Sequence, residues 1–235
     1  MKLKNPLRDL TNFERMLWLF SVGAIVISSF FAQGRVLTVI ASLIGVTALI
    51  FVAKGYVVGQ VFTVAFSVFY GTISFFFRYY GEMITYLGMT TPMAVCAVIS
   101  WLRHPYKDTR EVEVHRLTRG QVVAMLMGAA VTTVVFYFIL DALGNANLLA
   151  STVSVTTSFA ASYLTFFRSP YYALAYAAND MVLVLLWVLA AVEDASYVPM
   201  VVCFLMFFAN DVYGFCNWRR MQQRQSKKTR EKARK

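Results

Sequence analysis

Long apolar stretches alternate with short polar ones along the whole chain, and eight of the apolar stretches have the length of a membrane helix. A helix needs about 20 residues to cross a bilayer, because each residue adds roughly 1.5 Å. None of the stretches alternates with the two-residue period of a barrel strand. The pattern predicts an all-α polytopic membrane protein with spans near residues 14–31, 36–53, 58–77, 84–102, 120–140, 149–167, 171–190 and 197–218.

Composition supports this class, since 59% of the residues are hydrophobic and 14% are charged, against about 25% charged residues in soluble domains. The basic residues predict the orientation, because cytoplasmic loops of membrane proteins retain Lys and Arg. With both termini inside, 20 of the 22 basic residues lie on the cytoplasmic side, and only Arg35 and Arg78 lie outside. We therefore expect cytoplasmic N- and C-termini.

The net charge of +10 arises largely in the tail after residue 218, which holds nine basic residues. Because the tail directly follows a membrane helix, we interpret it as a disordered segment in contact with anionic lipid, and we expect no nucleic-acid partner. The polar N-terminal segment leads into a full-length apolar stretch without a cleavage site, so we expect the first helix to be retained. The three Cys residues lie in apolar stretches, and no metal site or cofactor is expected.

Two sequence echoes indicate an internal repeat. TPMAVCAV at residues 91–98 resembles VPMVVCFL at 198–205, and ASLIGVT near residue 41 resembles ASTVSVT near residue 150. One helix separates the two copies, so both units point the same way, which predicts a 1+3+1+3 plan with two parallel three-helix repeats joined by a linker helix. The expected divisions are 1–33 (N-terminal segment and extra transmembrane helix), 34–104 (first three-helix repeat), 105–143 (cytoplasmic loop and linker helix), 144–218 (second three-helix repeat) and 219–235 (basic cytoplasmic tail).

Pro92 and Pro199 occupy matching positions in the third helices of the two predicted repeats. A proline inside a helix removes one backbone hydrogen bond and kinks the chain. We therefore expect paired kinks at the same depth, which could act as hinges for alternating access.

Asn-Asp pairs occur in two predicted helices, in YAANDMVLVLLW at residues 176–187 and in FFANDVYGFCNW at 207–218. Burying such groups in hydrocarbon costs several kcal/mol, so they turn toward a cavity or toward each other. Together with aromatic rings they suit a flat, polar ligand; the alternative is that the asparagines only join helices. The predicted substrate site comprises Tyr176, Asn179, Asp180, Trp187, Asn210, Asp211 and Tyr213.

The first unit contributes a polar stripe along its second helix. Gln60, Ser67 and Tyr70 recur there at helical spacing together with Thr63 and Ser74. A polar stripe that faced lipid would be costly, so it should face the transport pathway or the other repeat. We add Gln60, Ser67 and Tyr70 to the candidate site.

The two function classes to separate are a carrier and a membrane enzyme. An enzyme needs a nucleophile with its base, a metal constellation or a phosphate loop, and the sequence contains no HExxH, GxSxG or GxxxxGK motif. We therefore predict a carrier that binds a small molecule and does not transform it.

The N-terminal LTNFERMLW, the helix plan and the two Asn-Asp motifs resemble the PnuC family of bacterial nicotinamide riboside transporters, which are relatives of the SWEET sugar transporters. The resemblance implies facilitated uptake of nicotinamide riboside through the bacterial inner membrane, trapping by cytoplasmic phosphorylation, and a homotrimer. Related subgroups carry deoxynucleosides, thiamine or riboflavin, and these substrates and proton coupling remain alternatives. The family's site positions correspond to Tyr176, Asn179, Asp180, Asn210, Tyr213 and Trp218.

Overall fold

The computed structural model describes residues 6–31, 36–76, 80–107, 109–145 and 147–233. These residues form helices and contain no β-strand, which confirms the all-α prediction. The predicted outer residues Arg35 and Arg78 lie outside the described residues.

Eight long helices follow one another along the described chain. The fourth is composed of three consecutive stretches, Tyr80–Ile84, a π-helical turn Thr85–Thr90, and Thr91–Arg103, which we label together α4. The other helices are α1 (Asn12–Phe31), α2 (Val36–Ala53), α3 (Val57–Phe76), α5 (Arg119–Ala142), α6 (Leu148–Phe166), α7 (Tyr172–Glu193) and α8 (Val198–Ala233).

Seven helices in the described part of the chain are long and apolar enough to cross a membrane, and α6 is the exception. Eight of the 19 residues of α6 are Ser or Thr. Several of their hydroxyls donate to the carbonyl one turn earlier, such as Thr152 to Leu148 and Thr156 to Thr152. Such bonds satisfy the hydroxyl inside the helix, so this sequence remains compatible with an apolar environment.

The helix contacts repeat in an equivalent way in the two halves of the chain. In the first unit (α2–α4) α3 packs against α2 and α4, and in the second unit (α6–α8) α7 packs against α6 and α8. Between the units, α2 packs against α8 and α4 packs against α6. Exchanging the two units leaves this set of contacts unchanged, which supports the predicted parallel repeat; the division of the chain into repeats stays a prediction.

The two prolines differ in their surroundings. Pro92 follows the π-helical turn of α4, where the Thr91 N–H bonds to the Tyr86 carbonyl five residues earlier. Pro199 is the second residue of α8, after a short 3-10 turn. In the first turn of a helix the N–H has no intrahelical partner, so proline breaks nothing there. The prediction of paired kinks at matching depth is therefore wrong.

The basic tail is helical as far as Ala233, so the prediction of a disordered tail is wrong. Gln225 is 5% exposed; it donates to the Val112 carbonyl over 3.1 Å and accepts the Val114 N–H over 2.9 Å. These bonds join the tail to the loop of residues 104–118, whose Val112 N–H bonds to the Gly55 carbonyl. The tail is ordered because its polar groups replace the missing partners of this loop.

Arg168, between α6 and α7, is hydrogen-bonded to α4 and to loop 104–118 at the same end of the bundle. Its guanidinium donates to the Ser100 hydroxyl over 2.6 Å and to the Glu113 carbonyl over 3.1 Å. Burial lowers the pKa of Arg168 from its usual value, although a guanidinium stays charged in proteins. We call this end, which holds Lys54, loop 104–118, Arg168 and the tail, the basic face, and the other end the opposite face.

Candidate functional site

A central cavity lies between the two units and is lined by residues of α2, α3, α4, α6, α7 and α8. It has a volume of about 70 Å³, which is small beside the roughly 300–1,000 Å³ of pockets for small molecules. In this form the site is therefore too small to hold such a ligand. The candidate residues that line the cavity are Gln60, Tyr176, Asn179, Asp180 and Asp211.

Two carboxyl groups from α7 and α8 meet in this cavity. Asp180 and Asp211 are each 3% exposed, and both line the cavity. Asp180 Oδ2 is buried, and no donor among the described residues reaches it. Buried acceptors are normally satisfied, so this oxygen is suited to a donor or a positive charge on a ligand.

Asn179 is held by three hydroxyls of α6. Its Oδ1 accepts from Ser154 Oγ over 3.0 Å, from Thr157 Oγ1 over 2.8 Å and from Ser158 Oγ over 3.1 Å. Because three hydroxyls converge on this atom, it is the amide oxygen, which accepts hydrogen bonds. The amide nitrogen therefore points away from α6. Because Asn179 lines the cavity, its Nδ2 is a donor presented to a ligand.

Aromatic residues form much of the cavity wall. The Tyr176 hydroxyl lies 3.2 Å from Ser162 Oγ, and its ring meets that of Tyr172 at a centroid distance of 6.2 Å. Tyr86, on the π-helical turn of α4, lines the opposite part of the wall with Phe66. Rings with polar tips can stack on a flat ligand while their hydroxyls stay bonded to the protein.

Toward the basic face the cavity is closed by a layer of large side chains. The Tyr172 ring packs against the Trp218 indole at a centroid distance of 5.0 Å, and Trp218 packs against Trp101 at 5.4 Å. Val112 of loop 104–118 belongs to the same cluster and is 1% exposed. Exit to this face therefore requires the tryptophans and the loop to separate.

Sequence reasoning missed several residues of the site, above all Tyr172 and the α6 hydroxyls. Ser154, Ser158 and Ser162 repeat every four residues and lie on one face of α6, which is a signal that the sequence contains. It is a weak signal, because Ser and Thr in membrane helices often bond only to their own backbone.

Five candidate residues lie elsewhere, and their role in substrate binding stays a prediction. Asn210 donates to Ser21 Oγ over 3.0 Å and to the Met206 carbonyl over 2.8 Å, so its amide joins α8 to α1. The Ser67 hydroxyl accepts a hydrogen bond from the Thr91 hydroxyl, and the Trp187 ring packs against that of Tyr197. None of these side chains is part of the cavity lining in the described residues, and neither are those of Tyr70 and Tyr213.

Tyr213 belongs to an ionic cluster between α1, α2 and α8. Its hydroxyl donates to Glu14 Oε1 over 2.7 Å, and Lys54 Nζ reaches Glu14 Oε2 at 2.9 Å. The Thr11 N–H also donates to Glu14, and Thr11 caps α1 in return. A buried carboxylate with this many partners is well satisfied, so the cluster attaches α1 to both units.

The sequence profile of the family described as nicotinamide mononucleotide transporter matches residues 35–220. The nicotinamide riboside transporter PnuC of Neisseria mucosa (strain ATCC 25996 / DSM 4631 / NCTC 10774 / M26) is 26% identical over 221 residues, which are 92% of this chain and 84% of the relative. The crystal structure of the vitamin B3 transporter PnuC is similar, with a TM-score of 0.79 at 25% identity, over 92% of this chain and 94% of that chain.

Proposed function

We propose, from the premise that the chain belongs to the nicotinamide mononucleotide transporter family, that it carries nicotinamide riboside into the cytoplasm. Family membership makes the chain a transporter and not an enzyme, in agreement with the prediction from its motifs. The remaining question is which ligand the central cavity favours, because the family description and the relative's name differ by one phosphate group.

The charge of the cavity wall is the main reason for choosing the riboside over the mononucleotide. Asp180 and Asp211 line it, and no Lys or Arg is among the described residues that do so. In a low-dielectric site a carboxylate attracts a cation and repels a phosphate. The pyridinium ring of nicotinamide riboside carries a positive charge, whereas the mononucleotide adds a phosphate to the same ring. The cavity therefore favours the riboside.

The other side chains of the cavity suit the rest of this ligand. Tyr86 and Tyr176 offer ring faces for the pyridinium, and cations bind favourably over aromatic faces. The Asn179 amide and Gln60 offer donors and acceptors for the carboxamide and the ribose hydroxyls. In this role Ser154, Thr157 and Ser158 position the Asn179 amide without touching the ligand.

We propose that the basic face is cytoplasmic, that both termini lie inside, and that the protein works in a bacterial inner membrane. The excess of Lys and Arg at this face supports the orientation. Alternating access would then open the cavity first at the opposite face and next at the layer of Trp101, Trp218 and Tyr172. The side-chain layer below the cavity agrees with a stage of such a cycle in which the exit to the basic face is shut.

We also propose a homotrimer, as the family resemblance implies. The helix α5 leaves large apolar side chains such as Val123, Met127 and Phe138 exposed, so it has room for lipid or for a second copy. Light scattering with correction for detergent should give three times the chain mass of 26.6 kDa. A mass of one chain would contradict the trimer without affecting the transport proposal.

Uptake of labelled compounds into proteoliposomes tests the substrate. The panel is nicotinamide riboside, its mononucleotide, thiamine, riboflavin and uridine, with protein-free vesicles as the control. We expect saturable uptake of nicotinamide riboside and no uptake of the mononucleotide. Equal uptake of the two nicotinamide compounds would overturn the charge argument, and preference for another vitamin would overturn the substrate.

A further inference from the structure

A second cavity of about 40 Å³ lies beside the central one, on the side of the opposite face. Tyr86, Ser158 and Leu183 line both cavities, so the two are adjacent. The wall of this outer cavity contains the carboxylate of Glu82 and hydroxyls such as that of Ser151. A polar chamber next to the central cavity lies on the route that a ligand from the opposite face has to take.

Glu82 is held in this chamber by one oxygen and presents the other. The buried Tyr70 hydroxyl donates to Glu82 Oε2 over 2.5 Å. The second oxygen, Oε1, has no hydrogen-bond partner among the described residues, and the side chain is half-buried. The described lining of the outer cavity includes no Lys or Arg. The carboxylate is thus fixed in place and available to a positive charge.

Tyr86 separates Glu82 from the acids of the central cavity. Its ring lies 4.6 Å from that of Tyr70 and 5.9 Å from that of Phe66, measured between centroids. It belongs to the π-helical turn of α4, and π turns place one extra residue in a helix and recur at functional sites. A rearrangement of this turn would move the Tyr86 ring and join the two cavities.

We propose that the outer cavity is an entry subsite for an organic cation, in which Glu82 binds the charged ring before Tyr86 admits it to Asp180 and Asp211. The inference rests on the proposed function, since it takes nicotinamide riboside as the cation. A half-buried carboxylate in a narrow, low-dielectric cleft concentrates cations at the mouth and accelerates their entry. A neutral nucleoside gains nothing from the same charge. Tyr70 positions the carboxylate, which gives this candidate residue a role outside the central cavity.

The test compares initial uptake rates of nicotinamide riboside by wild type and Glu82→Gln in proteoliposomes. We expect the half-saturation concentration to rise about tenfold, with little change of the maximal rate, because steering acts on entry. Salt should reduce uptake by wild type much more than uptake by the variant. Glu193→Gln is the matched control, since Glu193 is exposed at the end of α7 near the same face and lies outside the cavity lining.

Glu82→Asp, which keeps the charge, should restore most of the loss, and this variant separates charge from folding. Equal half-saturation concentrations for wild type and Glu82→Gln would overturn the subsite. A fall of the maximal rate alone, or an equal loss in Glu193→Gln, would overturn it as well. Failure of the proposed function is distinct, because wild type itself would then not take up nicotinamide riboside.

Discussion

Trp101 of α4 and Trp218 of α8 touch each other across the interface between the two units, with ring centroids 5.4 Å apart. The Trp218 indole donates to the Val52 carbonyl in the last turn of α2, and the Trp101 indole donates to the Thr165 carbonyl in the last turn of α6. The third helix of each unit is therefore hydrogen-bonded to the end of the first helix of the other unit. The two N···O distances are both 2.9 Å. We call this ring contact and the two indole hydrogen bonds the latch. The latch holds the two units together between the cavity and the basic face.

We predict that Trp218→Phe weakens this latch. Phenylalanine keeps a ring but cannot donate to the Val52 carbonyl. The form closed toward the basic face therefore loses on the order of 1 kcal/mol of stability relative to the open form. The form open to the basic face should then gain about fivefold in population, and exchange of labelled substrate across loaded vesicles should accelerate.

Trp18→Phe is the matched control for the latch. Trp18 also donates its indole N–H, to Thr47 Oγ1 over 3.1 Å, but this bond joins α1 to α2 away from the closure. The control should lose a comparable amount of thermal stability without faster exchange. Equal acceleration in both variants would show that general loosening of the bundle, and not the latch, controls the exit.

The second Asn-Asp motif shows how far the sequence alone could go. It indicated that polar groups of α8 turn inward, and Asp211 does line the cavity. Its neighbour Asn210 bonds to Ser21 of α1 instead. Adjacent residues of a helix point about 100° apart, so a motif of two residues cannot say which one faces a cavity until the neighbouring helices are placed. The partners of Asn179 were hidden for a related reason, because a hydroxyl of α6 can bond to its own helix or to a neighbour.

We predict that the two asparagines respond differently to substitution. Asn179→Ala should weaken binding of nicotinamide riboside by about 1–3 kcal/mol, because the ligand loses the donor of the amide. Asn210→Ala should leave the affinity unchanged and lower the melting temperature, because its amide joins α8 to α1. Calorimetric titration of variants that elute normally from size exclusion tests both statements. An equal loss of affinity in the two variants would return Asn210 to the substrate site.

Transport should need neither ATP nor a pH gradient, since the sequence contains no nucleotide-binding motif and the family resemblance implies facilitated uptake. The substrate itself is a cation, so an inside-negative membrane potential should drive its accumulation. A potential of 100 mV contributes about 2.3 kcal/mol per charge, or roughly 50-fold accumulation. The measurement sets a potassium diffusion potential across proteoliposomes, and a pH gradient at zero potential is the comparison. Accumulation driven by the pH gradient alone would show proton coupling, for which Asp180 and Asp211 are the candidates.

The role of Asp180 can be tested through the charge of the ligand. A carboxylate about 4 Å from a positive ring gains about 4 kcal/mol at an effective dielectric constant near 20, before desolvation is subtracted. A neutral nucleoside such as uridine gains no such energy. Asp180→Asn keeps the size of the side chain and removes the charge, so it should reduce the affinity for nicotinamide riboside much more than that for uridine.

The competing explanation is that Asp180 accepts hydrogen bonds from ribose hydroxyls, which both ligands share. Binding of both ligands to wild type, Asp180→Asn and Asp141→Asn separates the two, where Asp141 is an exposed acid of α5 outside the cavity. Equal losses for the two ligands in Asp180→Asn would favour the ribose contact. No loss for either ligand would make Asp180 a structural partner of Asp211. A loss of affinity for nicotinamide riboside alone would show that the charge of Asp180 recognises the pyridinium ring. Only that ring carries a positive charge, so it is the group that distinguishes the two ligands electrostatically.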